Sequence, residues 1–287
     1  MNYFAGVFET EILRINGALK QTITDQLAIE EPLEIVARIH TQDNTLLKNI
    51  AVTMRTPGQD DYLTAGFLFT EGIVDRKSDI QHINNLTICA GDELHNETII
   101  VDLNPELAHR LRDLERHFYV SSSCGVCGKA SIDLVTSEAR YIPKRVHEIL
   151  FPELLNTFPD KLRERQKLFS MTGGIHACAL FDLEGNLIYF AEDIGRHNAM
   201  DKLIGWGLMN DRLPFSDEII LLSGRASFEM IQKAMHSGVH TVAAVGAPSS
   251  LAVQTAESFG MTLIGFLSEK KMNVYSHAFR IKNPVAS

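Results

Sequence analysis

The stretch TGGIHACALFDLEGNLIYFAEDIGRHNAMDK, residues 172–202, decides the fold. TGGIHACALFD and NLIYFAED are apolar runs separated by Leu183-Glu184-Gly185, the pattern of two strands joined by a tight turn. From about Gly195 to Met209 the spacing turns helical, and EIILLS then reads as a strand. The next helix is expected from about Ser227 to Gly238, with Phe228, Ile231 and Met235 at helical spacing. TVAAVGA reads as a buried strand, Ser249 to Gly260 as a helix, and TLIGFL as a last apolar strand. Gly238 and Gly260 stand where helix C-caps belong. Two strands followed by repeated helix–strand units imply a mixed sheet, parallel in part, with helices on its faces.

Upstream the chain is richer in strands. Leu33, Ile35, Ala37 and Ile39 alternate with Glu34, Arg38 and His40, with Val36 breaking the pattern, as in a half-buried strand. TPGQDDYLTAGFLFTEG, residues 56–72, has a Pro-Gly turn, an acidic first turn and a terminal glycine; it predicts a helix packing Leu63 and Phe67 on one face. Thr98–Leu103 reads as a strand and Glu106–His117 as a charged helix. The polar, glycine-bearing SSSCGVCGKAS at 121–131 reads as a loop and marks the domain junction. The expected organisation is an α+β amino-terminal domain over 1–120, the CxxC loop over 121–131, and a carboxy-terminal domain over 132–287. The fold class is mixed α/β.

Composition narrows the function. Of 287 residues, 45% are hydrophobic and 22% charged, which is ordinary globular usage. Lys and Arg number 27 against 36 Asp and Glu, a net charge of −9. Such a chain does not hold nucleic acid over a broad surface, although a local basic pocket can take a phosphate. No apolar run is long enough to span a membrane, and MNYFAGVFETE lacks the basic start of a secretory signal. Four cysteines are too few for a disulfide framework. A cytoplasmic protein is expected.

Three clusters carry chemistry. Cys124-Gly-Val-Cys127 has flanking glycines and Lys129 nearby; a helix over Ala130–Ala139 would aim its positive end at the pair. This spacing suits disulfide chemistry or a carried sulfur atom; half a zinc site and two idle thiols are the other readings. Beyond the pair only Cys89 and Cys178 exist, so no side-chain metal site is expected. Gly173, Gly174 and His176 form the second cluster, open backbone beside a titratable ring. His176-Ala-Cys178 has the H-x-E spacing of zinc nucleobase deaminases, but Cys178 replaces the catalytic Glu and no P-C-x-x-C follows. The third cluster is a strand end entering a helix, where Arg196 and Lys202 are candidates for phosphate and Asp201 for orienting His197. Ser223-Gly224-Arg225-Ala-Ser227 offers a second such turn.

These stretches together resemble the formate dehydrogenase accessory sulfurtransferase (FdhD) family. The resemblance rests on SSCGVCGK at 122–129, TGGIHA at 172–177, EDIGRHNAMDKLIG at 192–205, SGRAS at 223–227, KA at 233–234 and APSSLAV at 247–253. EPLEI at 31–35 and TPGQDDYLTAGFLFTEGI at 56–73 extend it over nearly the whole chain. It implies a sulfurtransferase that takes sulfane sulfur from a cysteine desulfurase as a persulfide and passes it to the molybdenum or tungsten bis(molybdopterin guanine dinucleotide) cofactor of formate dehydrogenase. Cys124 falls at the persulfide position and Cys127 is its partner. The resemblance further implies a cytidine-deaminase-like carboxy-terminal fold, a homodimer and binding of guanine nucleotides such as GDP. The family's late cofactor-binding stretch falls on Phe266, Leu267, Ser268, Glu269, Lys270 and Lys271, where Ser-Glu replaces a commonly basic position. The cofactor pocket is expected from Gly173, Gly174, His176, Arg196, His197 and Arg225.

Overall fold

The computed structural model describes residues 6–41, 44–87, 97–111 and 149–282. The CxxC loop at 121–131, the junction assigned to it, Cys89, and the end of the helix expected to reach His117 lie outside the described residues.

A hairpin of β1 (Val7–Asn16) and β2 (Leu19–Ala28) leads into β3 (Glu31–His40) and β4 (Thr45–Arg55). Helix α1 (Asp60–Thr70) follows, then β5 (Ile80–Thr87) and β6 (Glu97–Leu103). After position 149 come three short helices, α2 (Pro152–Leu155), α3 (Phe158–Arg163) and α4 (Lys167–Thr172), and the antiparallel pair β7 (His176–Asp182) and β8 (Leu187–Asp193). The chain then alternates: α5 (Arg196–Met209), β9 (Glu218–Leu222), α6 (Phe228–His236), β10 (Thr241–Ala244), α7 (Ser250–Ser258), β11 (Thr262–Gly265), and finally β12 (Asn273–Ser276).

The large sheet has the order β12-β11-β10-β9-β7-β8. β9, β10 and β11 are parallel, while β7, β8 and β12 run antiparallel to their neighbours. This is the mixed sheet with a parallel centre that the helix–strand alternation predicts. The smaller sheet, β4-β3-β6-β5, pairs β3 with β6 in parallel. In β3 the alternation holds: Leu33, Ile35, Ala37 and Ile39 are buried.

Period-two burial divides β7 between two apolar layers. Cys178 and Leu180 face a core shared with α5, α6, α7, α1 and the inner face of the smaller sheet. Ala177, Ala179 and Phe181 face the short helices, where Phe158 stacks on Phe181 at 4.0 Å. The amino-terminal elements therefore share one core with the large sheet.

Their contact is close because two glycines meet. A Cβ at Gly66 of α1 would lie 1.9 Å from the Asp201 carbonyl oxygen of α5, and one at Gly205 would lie 1.8 Å from that of Tyr62. No larger side chain fits this crossing without parting the helices. Leu63 is in the core and Phe67, half-buried beside a cavity, packs against it as expected; α1 also buries Thr64, Ala65, Gly66, Leu68, Phe69 and Thr70. Pressed between a sheet and a helix, it is buried on more than the single face its sequence spacing marks.

Candidate functional site

The carboxyl ends of β9, β10 and β11 form one edge of the large sheet, and the antiparallel β7 begins there at His176. Three turns along this edge are stitched backbone to backbone. Gly246 donates to the Gly224 carbonyl at 2.9 Å, and Phe266 donates to the Gly246 carbonyl at 3.1 Å. A Cβ at Gly246 would lie 2.9 Å from that Gly224 oxygen, so only glycine lets the turns touch. Ser223 fixes the start of β7 by accepting a hydrogen bond from the Ala177 amide at 2.8 Å.

Four expected residues come together on this edge. His176 lies beside Gly224, and its pKa is lowered by burial and by the charges of Arg196 and Arg225. His197 is pushed down to about 4, first by burial and then by Arg196 and Lys233, with Glu229 opposing. Both imidazoles are therefore neutral at pH 7, and the Nε2 of His197 is buried with no hydrogen-bond partner. Arg225 is exposed and Arg196 half-exposed. The amino ends of α5 and α6 open here without side-chain caps, whereas Ser249 caps α7 through the Ala252 amide. Two guanidiniums, two helix starts without side-chain caps and neutral imidazoles are groups whose chemistry suits an anion of phosphate type.

Gly173 and Gly174 line a cavity of about 580 Å³ that also reaches His176, Ser223 and Val245, with the Arg163 guanidinium 3.8 Å above the Phe169 ring on its far wall. Phe266 sits next along the edge, 40% exposed and in the left-handed region at φ 53°. Leu267 is buried, Ser268 donates through its amide to the Lys271 carbonyl, and Glu269, Lys270 and Lys271 are exposed.

Two readings of the 192–202 stretch are corrected. Lys202 is 1% exposed and lies 2.7 Å from Asp193 Oδ2, with further donation to the Thr56 carbonyl at 2.9 Å. It faces into the protein, away from any phosphate. Asp201 does not orient His197, because its carboxylate is occupied by Lys233 Nζ at 2.9 and 3.0 Å and by the Thr70 hydroxyl at 2.9 Å. Asn198 likewise reaches back, donating to the Met54 carbonyl and accepting from Thr53. The polar residues of the first two helical turns thus split in two. Arg196 faces the edge and His197 borders the cavity beside α6, while Asn198, Asp201 and Lys202 bind the amino-terminal elements to the large sheet.

Residues the sequence reading passed over border a second cavity, of about 510 Å³, between α1, α5 and α6: Glu71, Glu229, Gln232 and Lys233. The i,i+4 pair Glu229/Lys233 on a helix starting beside Arg225 was the available signal. Cys178 is fully buried, and burial pushes its thiol far above the range in which a thiolate forms near neutrality. Among the described residues no three His, Cys, Asp or Glu side chains gather as a metal set, and no helix is long and apolar enough to cross a membrane.

The chain is similar to known proteins over most of its length. The FdhD/NarQ family matches residues 28–282. The chain belongs to this family. Among its FdhD relatives, a sulfur carrier protein FdhD of Streptomyces coelicolor is 46% identical over 276 residues, covering 94% of each chain. That of Mycobacterium tuberculosis is 44% identical, covering 91% of this chain and 94% of the other, and that of Picrophilus torridus 42%, covering 93% and 96%. A crystal structure of a candidate formate dehydrogenase accessory protein from Desulfotalea psychrophila superposes with a TM-score of 0.72 at 22% identity, covering 96% of this chain and all of the other. That likeness gives the FdhD-type fold an experimental counterpart.

Proposed function

We propose that this protein is a cytoplasmic sulfur carrier serving a formate dehydrogenase. Cys124, as a thiolate, attacks the outer sulfur of a cysteine desulfurase persulfide. A new S–S bond forms on Cys124, the donor's S–S bond breaks, and the desulfurase cysteine leaves as a thiolate. The client is the molybdenum or tungsten bis(molybdopterin guanine dinucleotide) cofactor, to which the terminal sulfur passes. In one release route Cys127 attacks the inner sulfur and expels sulfide, leaving a Cys124–Cys127 disulfide that a cellular dithiol must reduce before the next cycle.

The observation that carries this reading is the grouping of Arg196 and Arg225 around His176, beside two uncapped helix starts. A protein of net charge −9 that is to hold a pyrophosphate must concentrate positive groups locally. A pyrophosphate-linked guanine nucleotide supplies such an anion, and Gly173, Gly174, His197 and Phe266–Lys271 border the same edge. A curated relative's name, sulfur carrier protein FdhD, supports the sulfur half of the reading. The test is calorimetric titration with GDP. Arg196→Glu should weaken binding at least about tenfold while leaving unfolding within about 0.5 kcal/mol of wild type. Unchanged affinity removes Arg196 from the site.

A further inference from the structure

β8 is an open edge of the large sheet. The strand order ends with it, and among the described residues it pairs with β7 alone. Ala177 and Ala179 of β7 turn their main-chain groups toward β9: the Ala177 carbonyl accepts from the Ser223 amide at 2.9 Å, and Ala179 pairs with Leu221. Their partners on β8, Glu192 and Phe190, therefore point N–H and C=O the opposite way, off the sheet. The Glu192 carbonyl accepts from Lys202 Nζ at 3.3 Å. The outward groups of Phe190 have no partner among the described residues. Edges are ordinarily guarded by shortness, lysine, proline or a covering element. At the far edge β12 has four residues and follows Lys270 and Lys271. β8 has seven, LIYFAED, with neither lysine nor proline, and one register shift opposite Leu180 and Phe181.

A groove of about 560 Å³ runs along this edge, bordered by Leu187–Phe190 and Glu192. The short helices pack on one face of the sheet and α1 on the other, so the groove has two unlike walls. Arg165 stands on the wall of the short helices; Pro57, Gly58 and Gln59 lead into α1 on the other, with Asp61 close enough to act on the Tyr189 hydroxyl. Arg165 is exposed and has no carboxylate partner among the described residues. Lys161 donates to the Gly185 carbonyl, at the turn that leads into β8. Residues 161–167 carry four cations and one acid, Glu164. Glu192, the one carboxylate bordering the groove, is occupied by the Leu168 and Phe169 amides at 3.2 and 3.0 Å.

We infer that this groove takes an extended, acidic peptide of a partner protein as a seventh strand on β8. Main-chain bonds to Phe190 hold the peptide in register. Period-two alternation then sends one set of its side chains to the Arg165 wall and the other to the wall of Pro57, Gly58 and Gln59. Acidic residues belong to the first set, where Arg165 and Lys161 await them, and small apolar residues to the second, where Asp61 repels an acid. A basic peptide meets like charge on the Arg165 wall. A helix has its main-chain groups bonded within itself and leaves Phe190 unpaired. The inference stands apart from the sulfur-transfer reading, because neither His176, Arg196 nor Arg225 takes part.

Fluorescence anisotropy of the full chain with a labelled heptapeptide alternating glutamate and valine tests it, with circular dichroism confirming that the variant is folded. The peptide should bind saturably, and more weakly as salt is raised. Arg165→Glu should raise its dissociation constant at least about tenfold, and a lysine–valine peptide should bind wild type at least about tenfold more weakly. N-methylation of one alternate set of peptide amides should abolish binding, while methylation of the other set should leave it intact, because only one set faces β8. Hydrogen exchange at the Phe190 amide should be fast in the free protein and slow on binding. Absence of binding at millimolar peptide overturns the inference. So does binding blind to Arg165→Glu, or equal for the two methylated peptides. A Phe190 amide already protected in the free protein also overturns it, since a second copy or another part of the chain then covers the edge.

Discussion

Replacing Gly205 by alanine probes the crossing on which the whole assembly of sheets depends. The new Cβ would sit 1.8 Å from the Tyr62 carbonyl oxygen and 2.7 Å from the Gly66 nitrogen. Both are backbone atoms, so no side chain can swing aside; α1 and α5 must part by about 1.5 Å to regain ordinary contact. Overpacking of this kind costs about 3 kcal/mol at the severe end of its usual range. Parting the helices also stretches the Thr70–Asp201–Lys233 hydrogen bonds, now 2.8–3.0 Å, for roughly 1 kcal/mol more. Removing a helical glycine returns about 1 kcal/mol of backbone entropy. The net expectation is a loss of about 3 kcal/mol, read by urea unfolding, and roughly 6 °C in Tm. Gly174→Ala is the control, because its Cβ would meet nothing closer than 4.0 Å and its stability should stay within about 0.5 kcal/mol. A Gly205→Ala protein as stable as wild type would refute the close crossing.

Two other predictions concern buried charge. Lys202→Met should cost about 3–5 kcal/mol, because it strands the Asp193 carboxylate without its cation, and Lys202→Met with Asp193→Asn should recover part of that loss in a double-mutant cycle. His197 has a folded pKa lowered to about 4 from 6.5, so the unfolded chain binds the extra proton first. Its contribution to stability is complete above pH 6.5 and falls away as pH drops toward 4; His197→Asn should flatten the unfolding free energy over that window, measured by denaturant titration at successive pH values.

The carboxy-terminal sheet was legible because its signals are local. A two-strand turn, helix spacing and glycines past the helix ends are each set within ten residues or so, and Gly238 and Gly260 do adopt positive φ there. The grouping of His176, Arg196 and Arg225 was also readable, since strand ends of an α/β sheet converge on one edge whatever their separation in sequence. Lys202, Asp201 and Asn198 were not readable in the same way. Spacing places them on helix faces but does not say that a second sheet covers those faces, and a lysine buried against an aspartate has the same letters as a lysine awaiting phosphate. The arm of β1 and β2 gave no clear signal either: exposed apolar residues stand on both its faces, Phe8, Leu19 and Leu27 on one and Leu13 and Ile15 on the other, so no period-two alternation marks a buried side.

The most direct test of the proposed function is intact-mass spectrometry after incubation with a cysteine desulfurase and cysteine, before and after a reductant. Wild type should gain the mass of one sulfur atom, removable by dithiothreitol. Cys124→Ala should gain none, yet keep wild-type GDP affinity and a wild-type unfolding curve, because the proposed nucleotide contacts come from His176, Arg196 and Arg225 rather than from a thiol. A full sulfur load on Cys124→Ala would contradict the account.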